Sequence, residues 1–188
     1  QMLVRDGVVV CKVHLHVAPA TQQKRLARLQ ANKITRWRVT QEDRWLARHY
    51  RPVERAFERT LAATDQPLAP WHVVDGTDSQ HRALEVGRQL LAAIEHADDR
   101  IPRSSNVPKG AVATAAIRAR YKTKPAGALP SDDEYDAELE RLQGRLALLS
   151  RRKCFERHAV VAVFEGMDAA GKGGAIRRVT AALDARQF

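Results

Sequence analysis

Apolar residues fall into two dense runs and several spaced stripes along the chain, and each kind of pattern predicts a different element. The run Val8 to Val17 (VVVCKVHLHV) is rich in β-branched residues and bounded by Gly7 and Pro19, which predicts a strand. Its first half is apolar on both faces, as in a parallel strand buried between helix layers. The second run, Ala159 to Phe164 (AVVAVF), predicts another apolar strand. The stripes predict helices. Thr21 to Asn32 places Leu26 and Leu29 on one side, and Gln41 to Ala63 aligns Trp45, Phe57 and Leu61, with Pro52 expected to kink it. Pro67 to Pro70 ends that helix, and Trp71 to Val74 makes a short strand before Asp75-Gly76. Ser79 to Ala97 then turns Leu84, Leu90, Leu91 and Ile94 inward.

From Asp98 to about Asp133 the chain carries Pro, Gly and Ser in the proportions of a linker. Ser131 and Glu134 then predict a capping box, with acidic residues in the first turn where the helix dipole favours them. That helix is expected to run to about Phe155, with Leu139, Leu142, Leu146 and Leu149 at spacings of three and four, and a basic end at Arg151-Arg152-Lys153.

Composition narrows the class. At 188 residues, 44% hydrophobic and 29% charged, the chain is ordinary for a globular protein. Its longest apolar run is far short of the ~18 residues of a membrane span, and no leader-like segment opens it. Two distant cysteines, Cys11 and Cys154, read as thiols of a reducing, cytoplasmic compartment. The net charge of +10 is uneven: residues 1–60 hold 13 Lys/Arg against 5 Asp/Glu. Such a segment attracts a polyanion, although a solvated basic helix face is the plain alternative.

The chemistry concentrates after the second apolar strand. Gly166-Met167-Asp168-Ala169-Ala170-Gly171-Lys172-Gly173-Gly174 stands between a strand and a helix predicted over Ala175 to Ala185, the context a phosphate-binding loop requires. Gly166 and Gly171 have the GxxxxGK spacing. The glycines let successive N–H groups converge on one anion, and the helix adds its positive end. Lys172 supplies a cation for outer phosphate oxygens. Gly173 stands where a Ser or Thr usually binds Mg²⁺, so the metal must find other ligands, and Asp168 is the local candidate. The loop alone leaves kinases, GTPases and ATPases open.

The string VFEGMDAAGKGGAIRRVTAALDAR resembles the loop of the polyphosphate kinase 2 family, where an aspartate two residues after the first glycine and a Gly-Lys-Gly-Gly ending recur. Leu142 to Leu146 fits that family's approach to the strand. Leu15-His16-Val17 with Gln22 and Arg25, then Arg36-Trp37-Arg38, then Ala69-Pro70-Trp71 resemble its later strand, lid helices and closing strand. Two departures stand out: Thr35 occupies the place of a lid lysine, and Asp78 to Arg82 departs from the usual Asp-Asp-Lys-Arg.

The resemblance implies an α/β fold, a P-loop NTPase-like parallel sheet with flanking helices, incomplete in this chain. It implies residues 1–98 as the end of a first domain copy, 99–133 as linker, and 134–188 as the start of a second copy. The activity implied is phosphoryl transfer from inorganic polyphosphate to AMP, giving ADP, with Mg²⁺ as cofactor and a self-associating full-length protein. The residues implied are Lys172 and Asp168 as catalytic groups, with Asp168 also the metal partner. Gly166, Ala169, Ala170, Gly171, Lys172, Gly173 and Gly174 bind phosphate, and Arg28, Arg36 and Arg38 form a basic lid. On this reading the chain alone would not be a working enzyme. Its second strand would lack its usual parallel neighbours, and either pair non-natively with Val8 to Val17 or leave the piece to aggregate.

Remaining features have plainer readings. His14 and His16 share a strand face and read as structural, and Cys11 as a core residue. Cys154 reads as a semi-buried thiol, and Trp37 as packing that orients its flanking arginines. Lys109 to Lys124 reads equally as a tether or a polyphosphate contact. The rival functions are an ATP-dependent small-molecule or nucleotide kinase and a non-catalytic polyanion or nucleic-acid binder. Membranes are not expected partners, and nucleic acid is the less favoured polyanion.

Overall fold

A computed structural model describes residues 2–96, 130–152, 155 and 159–184. Residues 97–129, which hold most of the expected linker including Lys109 to Lys124, and Cys154 fall outside the described residues. A short helix α1 (Met2–Arg5) leads into β1 (Val9–His16), then α2 (Pro19–Ala31), a 3-10 turn (Arg36–Arg38), α3 (Gln41–Arg48), α4 (Tyr50–Thr64), β2 (Trp71–Asp75) and α5 (Ser79–Glu95). After the linker come α6 (Asp132–Ser150), β3 (Val160–Gly166) and α7 (Lys172–Thr180).

The three strands form one parallel sheet in the order β2-β1-β3. β1 is therefore central, and its pattern shows why. Val9, Cys11, Val13 and Leu15 are buried against α5 and the core it shares with α6, while His14 and Lys12 face α4. A lysine in a central strand needs an outlet. Lys12 Nζ donates to Thr64 O at the end of α4, 2.6 Å away, and lies 5.1 Å from the Trp71 ring. Burial pulls its pKa down, with Asp65 opposing. β1 and β3 pair in register from Val9–Val160 to Leu15–Gly166, so the second apolar run does adopt Val8 to Val17 as its neighbour.

Three segments differ from expectation. The helix read as Gln41 to Ala63 is two helices, and the break is at His49 rather than Pro52. Pro52 sits in the first turn of α4, where no intrahelical acceptor waits for an N–H, so it costs nothing there. Thr40 and Asp43 cap α3 reciprocally, and Tyr50 Oη donates 2.6 Å to Val17 O, fixing the second start against the sheet. Trp45 consequently leaves the stripe: it is half exposed and stacked on His49. The helix begun at Ser131 carries the expected capping box but ends at Ser150, and α7 begins at Lys172 rather than Ala175.

Candidate functional site

The site forms where β3 runs out. Gly166 (φ 143°) ends the strand against β1, and a Cβ there would lie 2.2 Å from Leu15 O, so only glycine fits. The loop then turns through Ala169 (φ 61°) and Gly171 (φ 94°), the residue that caps α7. A non-glycine residue in the left-handed region is strained by about 1–2 kcal/mol and persists only where its surroundings hold it. Ala170 and Met167 are buried beneath the loop, leaving Gly171 to Gly174 at the helix start, where backbone N–H groups lack intrahelical partners.

Lys172 folds back over this turn. Its Nζ donates to Gly166 O at 2.6 Å and Met167 O at 3.3 Å, and lies 4.0 Å from Asp168 Oδ1. The Asp168 carboxyl is about one-third exposed. Its pKa is raised, chiefly by burial; Lys172 opposes this, while Asp43 and Glu42 at the start of α3 add to it. Among the described residues no group of three or more His, Cys, Asp or Glu side chains is placed to hold a metal ion, so Asp168 stands as the loop's own carboxylate, an oxygen ligand of the type Mg²⁺ takes.

The loop is closed from the amino-terminal half of the chain, not from its own flanks. Gln22 is fully buried and donates weakly to Asp168 O at 3.4 Å. Arg25 donates to Ala169 O at 2.7 Å, and its other terminal nitrogen reaches Gly76 O at 2.7 Å and Thr77 O. Arg82, in the first turn of α5, is 6% exposed, donates to Gly76 O at 2.9 Å and packs flat on Gly171. Gly76 has no room for a Cβ either, since Ala170 O would be 2.8 Å away. On the far side Arg178 donates to Tyr135 Oη and to Gly174 O.

The phosphate-loop residues and both groups of the Lys172/Asp168 pair thus come together as the spacing predicts. The basic lid does not join them. Arg28, Arg36 and Arg38 are exposed, and among the described residues none donates to the loop. Trp37 does not pack either: it is 73% exposed, with the Arg38 guanidinium 5.4 Å from its ring. Of His14 and His16, the first is buried against Phe57. Desolvation, with His16 and Lys172 nearby, pushes the His14 pKa down to about 3.

Asp43, Gly76 and Arg82 were not legible as site residues. The one signal for Arg82 was an arginine on the face of α5 that otherwise turns Val86, Leu90 and Ala93 inward.

A match to the polyphosphate kinase 2 family covers residues 1–102 and 130–188. The chain is 38% identical along its whole length to polyphosphate:AMP phosphotransferases of Pseudomonas syringae pv. tomato and Pseudomonas aeruginosa, in each case covering 38% of the relative. Over 98 residues, 52% of this chain and 32% of the relative, it is 43% identical to an ADP-polyphosphate phosphotransferase 2 of Rhizobium meliloti. The chain therefore spans well under half the length of the curated relatives it matches. No solved structure matches it.

Proposed function

Since the chain belongs to the polyphosphate kinase 2 family, we propose that it serves in a protein that moves a phosphoryl group from inorganic polyphosphate to AMP, giving ADP. The terminal phosphoanhydride bond of polyphosphate breaks, an AMP phosphate oxygen bonds to the transferred phosphorus, and the shortened chain leaves with the bridging oxygen. Residues 1–98 and 134–188 are the end and start of two domain copies joined by residues 99–133. The full-length relatives' lengths leave room for both copies.

The observation that carries the reading is Lys172 lying across a left-handed turn whose helix start presents unpartnered N–H groups. In such transfer the protein does little covalent work; it positions the groups and offsets charge. Gly171 to Gly174 hold a phosphate through their N–H groups. Lys172 follows its outer oxygens. Asp168 would be the loop's own oxygen ligand to Mg²⁺, which supplies charge neutralisation on the transferring group when bound. Exposed Arg28, Arg36 and Arg38 attract the rest of the polyanion.

The test is ADP formation from polyphosphate and AMP with Mg²⁺ by the protein that carries this chain, with and without Lys172→Ala. A loss of roughly 10²–10³-fold in rate is expected on removing one preorganised charge contact. Activity within about threefold of the unsubstituted protein would refute the role of the loop. ATP serving as a better donor than polyphosphate would favour an ATP-dependent kinase instead.

A further inference from the structure

Two residues hold the turn of the phosphate loop in the left-handed region, Ala169 at φ 61° and Gly171 at φ 94°, and each is met by an arginine from the other half of the chain. Arg25 Nη1 donates to the carbonyl of Ala169. The Arg82 guanidinium lies where a Gly171 side chain would be: a Cβ there would be 2.2 Å from its Cζ. Both arginines are locked to one further atom, the carbonyl oxygen of Gly76, at 2.7 and 2.9 Å. Arg82 is almost wholly buried, and among the described residues it makes no ion pair; its Nε has no hydrogen-bond partner.

A buried arginine with no ion-paired carboxylate is costly. Burial pulls both below their ordinary pKa; Arg28 adds to this for Arg25, Arg25 and Arg178 add to it for Arg82, and Asp78 opposes in both cases. Their hydrogen bonds end on main-chain oxygens, those of Ala169, Gly76 and Thr77, while Arg82 Nε is left without a partner. What they do hold is the turn.

We infer that Arg25 and Arg82 form a clamp, anchored on Gly76 O, that keeps the phosphate loop in its receiving shape before any phosphate arrives. They are positioning residues: they act through Ala169 and Gly171, not on the substrate. Ala169 would relax from φ 61° without the Arg25 hydrogen bond, and Gly171, with its free φ, would let the first N–H groups of α7 swing off a common target. The phosphate site is then one unit made by both halves of the chain. This inference rests on the phosphate-loop reading above, and its test separates the two.

Tripolyphosphate binding is measured by calorimetry, at fixed salt and without Mg²⁺, in this 188-residue chain, whose sheet joins β1 to β3, and in its Lys172→Ala, Arg25→Met, Arg82→Met and Arg25→Met/Ala169→Gly forms. Methionine keeps the length of the side chain and removes the donors. Each arginine variant should bind about tenfold more weakly or worse, as loss of a charged hydrogen bond predicts. Ala169→Gly should restore about fivefold in the Arg25→Met background, because glycine takes the left-handed conformation without strain. Simple loss of positive charge would not be restored in this way.

Amide exchange should rise across residues 169–174 while β1 and β3 stay protected. Arg25 is half-buried at the edge of the site, so its variant decides the matter even if Arg82→Met does not fold. Arginine variants that bind within twofold of the unsubstituted protein, while Lys172→Ala does not, would overturn the clamp and spare the phosphate site. Weak binding without restoration by Ala169→Gly, and with exchange rising in the strands too, would also overturn it. Undiminished binding by Lys172→Ala would overturn both.

Discussion

Two sets of three arginines in this chain differ in nearly everything but residue type. Arg25, Arg82 and Arg178 are buried or half-buried, and their donors end on main-chain carbonyls or on the Tyr135 phenol around the phosphate loop. Arg28, Arg36 and Arg38 are exposed at the end of α2 and on the adjoining turn, beside an Ile34 that is 80% exposed and a Trp37 that is 73% exposed. The first group shapes a surface of fixed geometry. The second offers charge with no fixed direction. The same residue type therefore serves precision in one place and reach in the other, and what separates the two is whether a carbonyl is waiting within hydrogen-bond distance.

The sharpest way to break the fixed region is at its tightest contact. Gly166→Ala places a Cβ 2.2 Å from Leu15 O at a φ of 143°, so the strand must shift. A destabilisation of about 3 kcal/mol or more is expected. In a chain of this size that lowers Tm by roughly 10 °C, which thermal unfolding by circular dichroism reads. A change under about 2 °C would mean that the two halves are not held at this distance.

Acid attacks the same region from beneath, through His14. Its pKa is about 3 in the fold and near 6.5 when unfolded, so below pH 6.5 the unfolded chain binds the proton first. Stability contributed by neutral His14 is complete above about pH 6.5 and is lost as pH falls toward 3, at up to ~1.4 kcal/mol per pH unit. Unfolding followed between pH 7 and 4 should show that slope, and His14→Gln should flatten it. Equal slopes for the two proteins would remove His14 as the cause.

Asp168→Asn is a milder test. It keeps size and loses charge, so the Mg²⁺ needed for half-maximal activity should rise, by about tenfold for loss of a carboxylate ligand. Lost activity at an unchanged Mg²⁺ requirement would assign Asp168 to substrate phosphate instead.

The smallest effect should come from the exposed group. Arg36→Gln with Arg38→Gln should leave Tm within about 1 °C and reduce the salt dependence of polyphosphate binding, the log–log slope falling by roughly 0.7 per cation removed. An unchanged slope would show that these arginines do not meet the polyanion.

Local pattern carried the sheet and the loop. The β-branched runs at Val9–His16 and Val160–Gly166, the Ser131/Glu134 box, and the glycine spacing before Lys172 each act within a few residues, and each appears in the structure where the pattern puts it. Pro52 misled because its effect depends on whether it lies inside a helix or in a first turn, which spacing alone does not say. Arg25 and Arg82 escaped for a different reason. Their partners lie 144 and about 90 residues away, and no periodicity links a guanidinium to a distant carbonyl. The apolar run of β3 also overstates its burial: Val161 and Ala162 are exposed although β1, of similar composition, is central and covered. Apolarity fixed the strand, and neighbours fixed its depth.

One contact bears on how such a site would sort its visitors. Lys172 already donates to two carbonyls, so an arriving ligand gains its ammonium only by outbidding neutral oxygens that are already in place. A hydroxyl or an amide oxygen offers no better bond than the one given up. A phosphate oxygen does, since it carries the negative charge that a main-chain carbonyl lacks. The resting lysine thus works as a threshold: weakly charged molecules meet a site whose cation is occupied, and densely charged ones find it released.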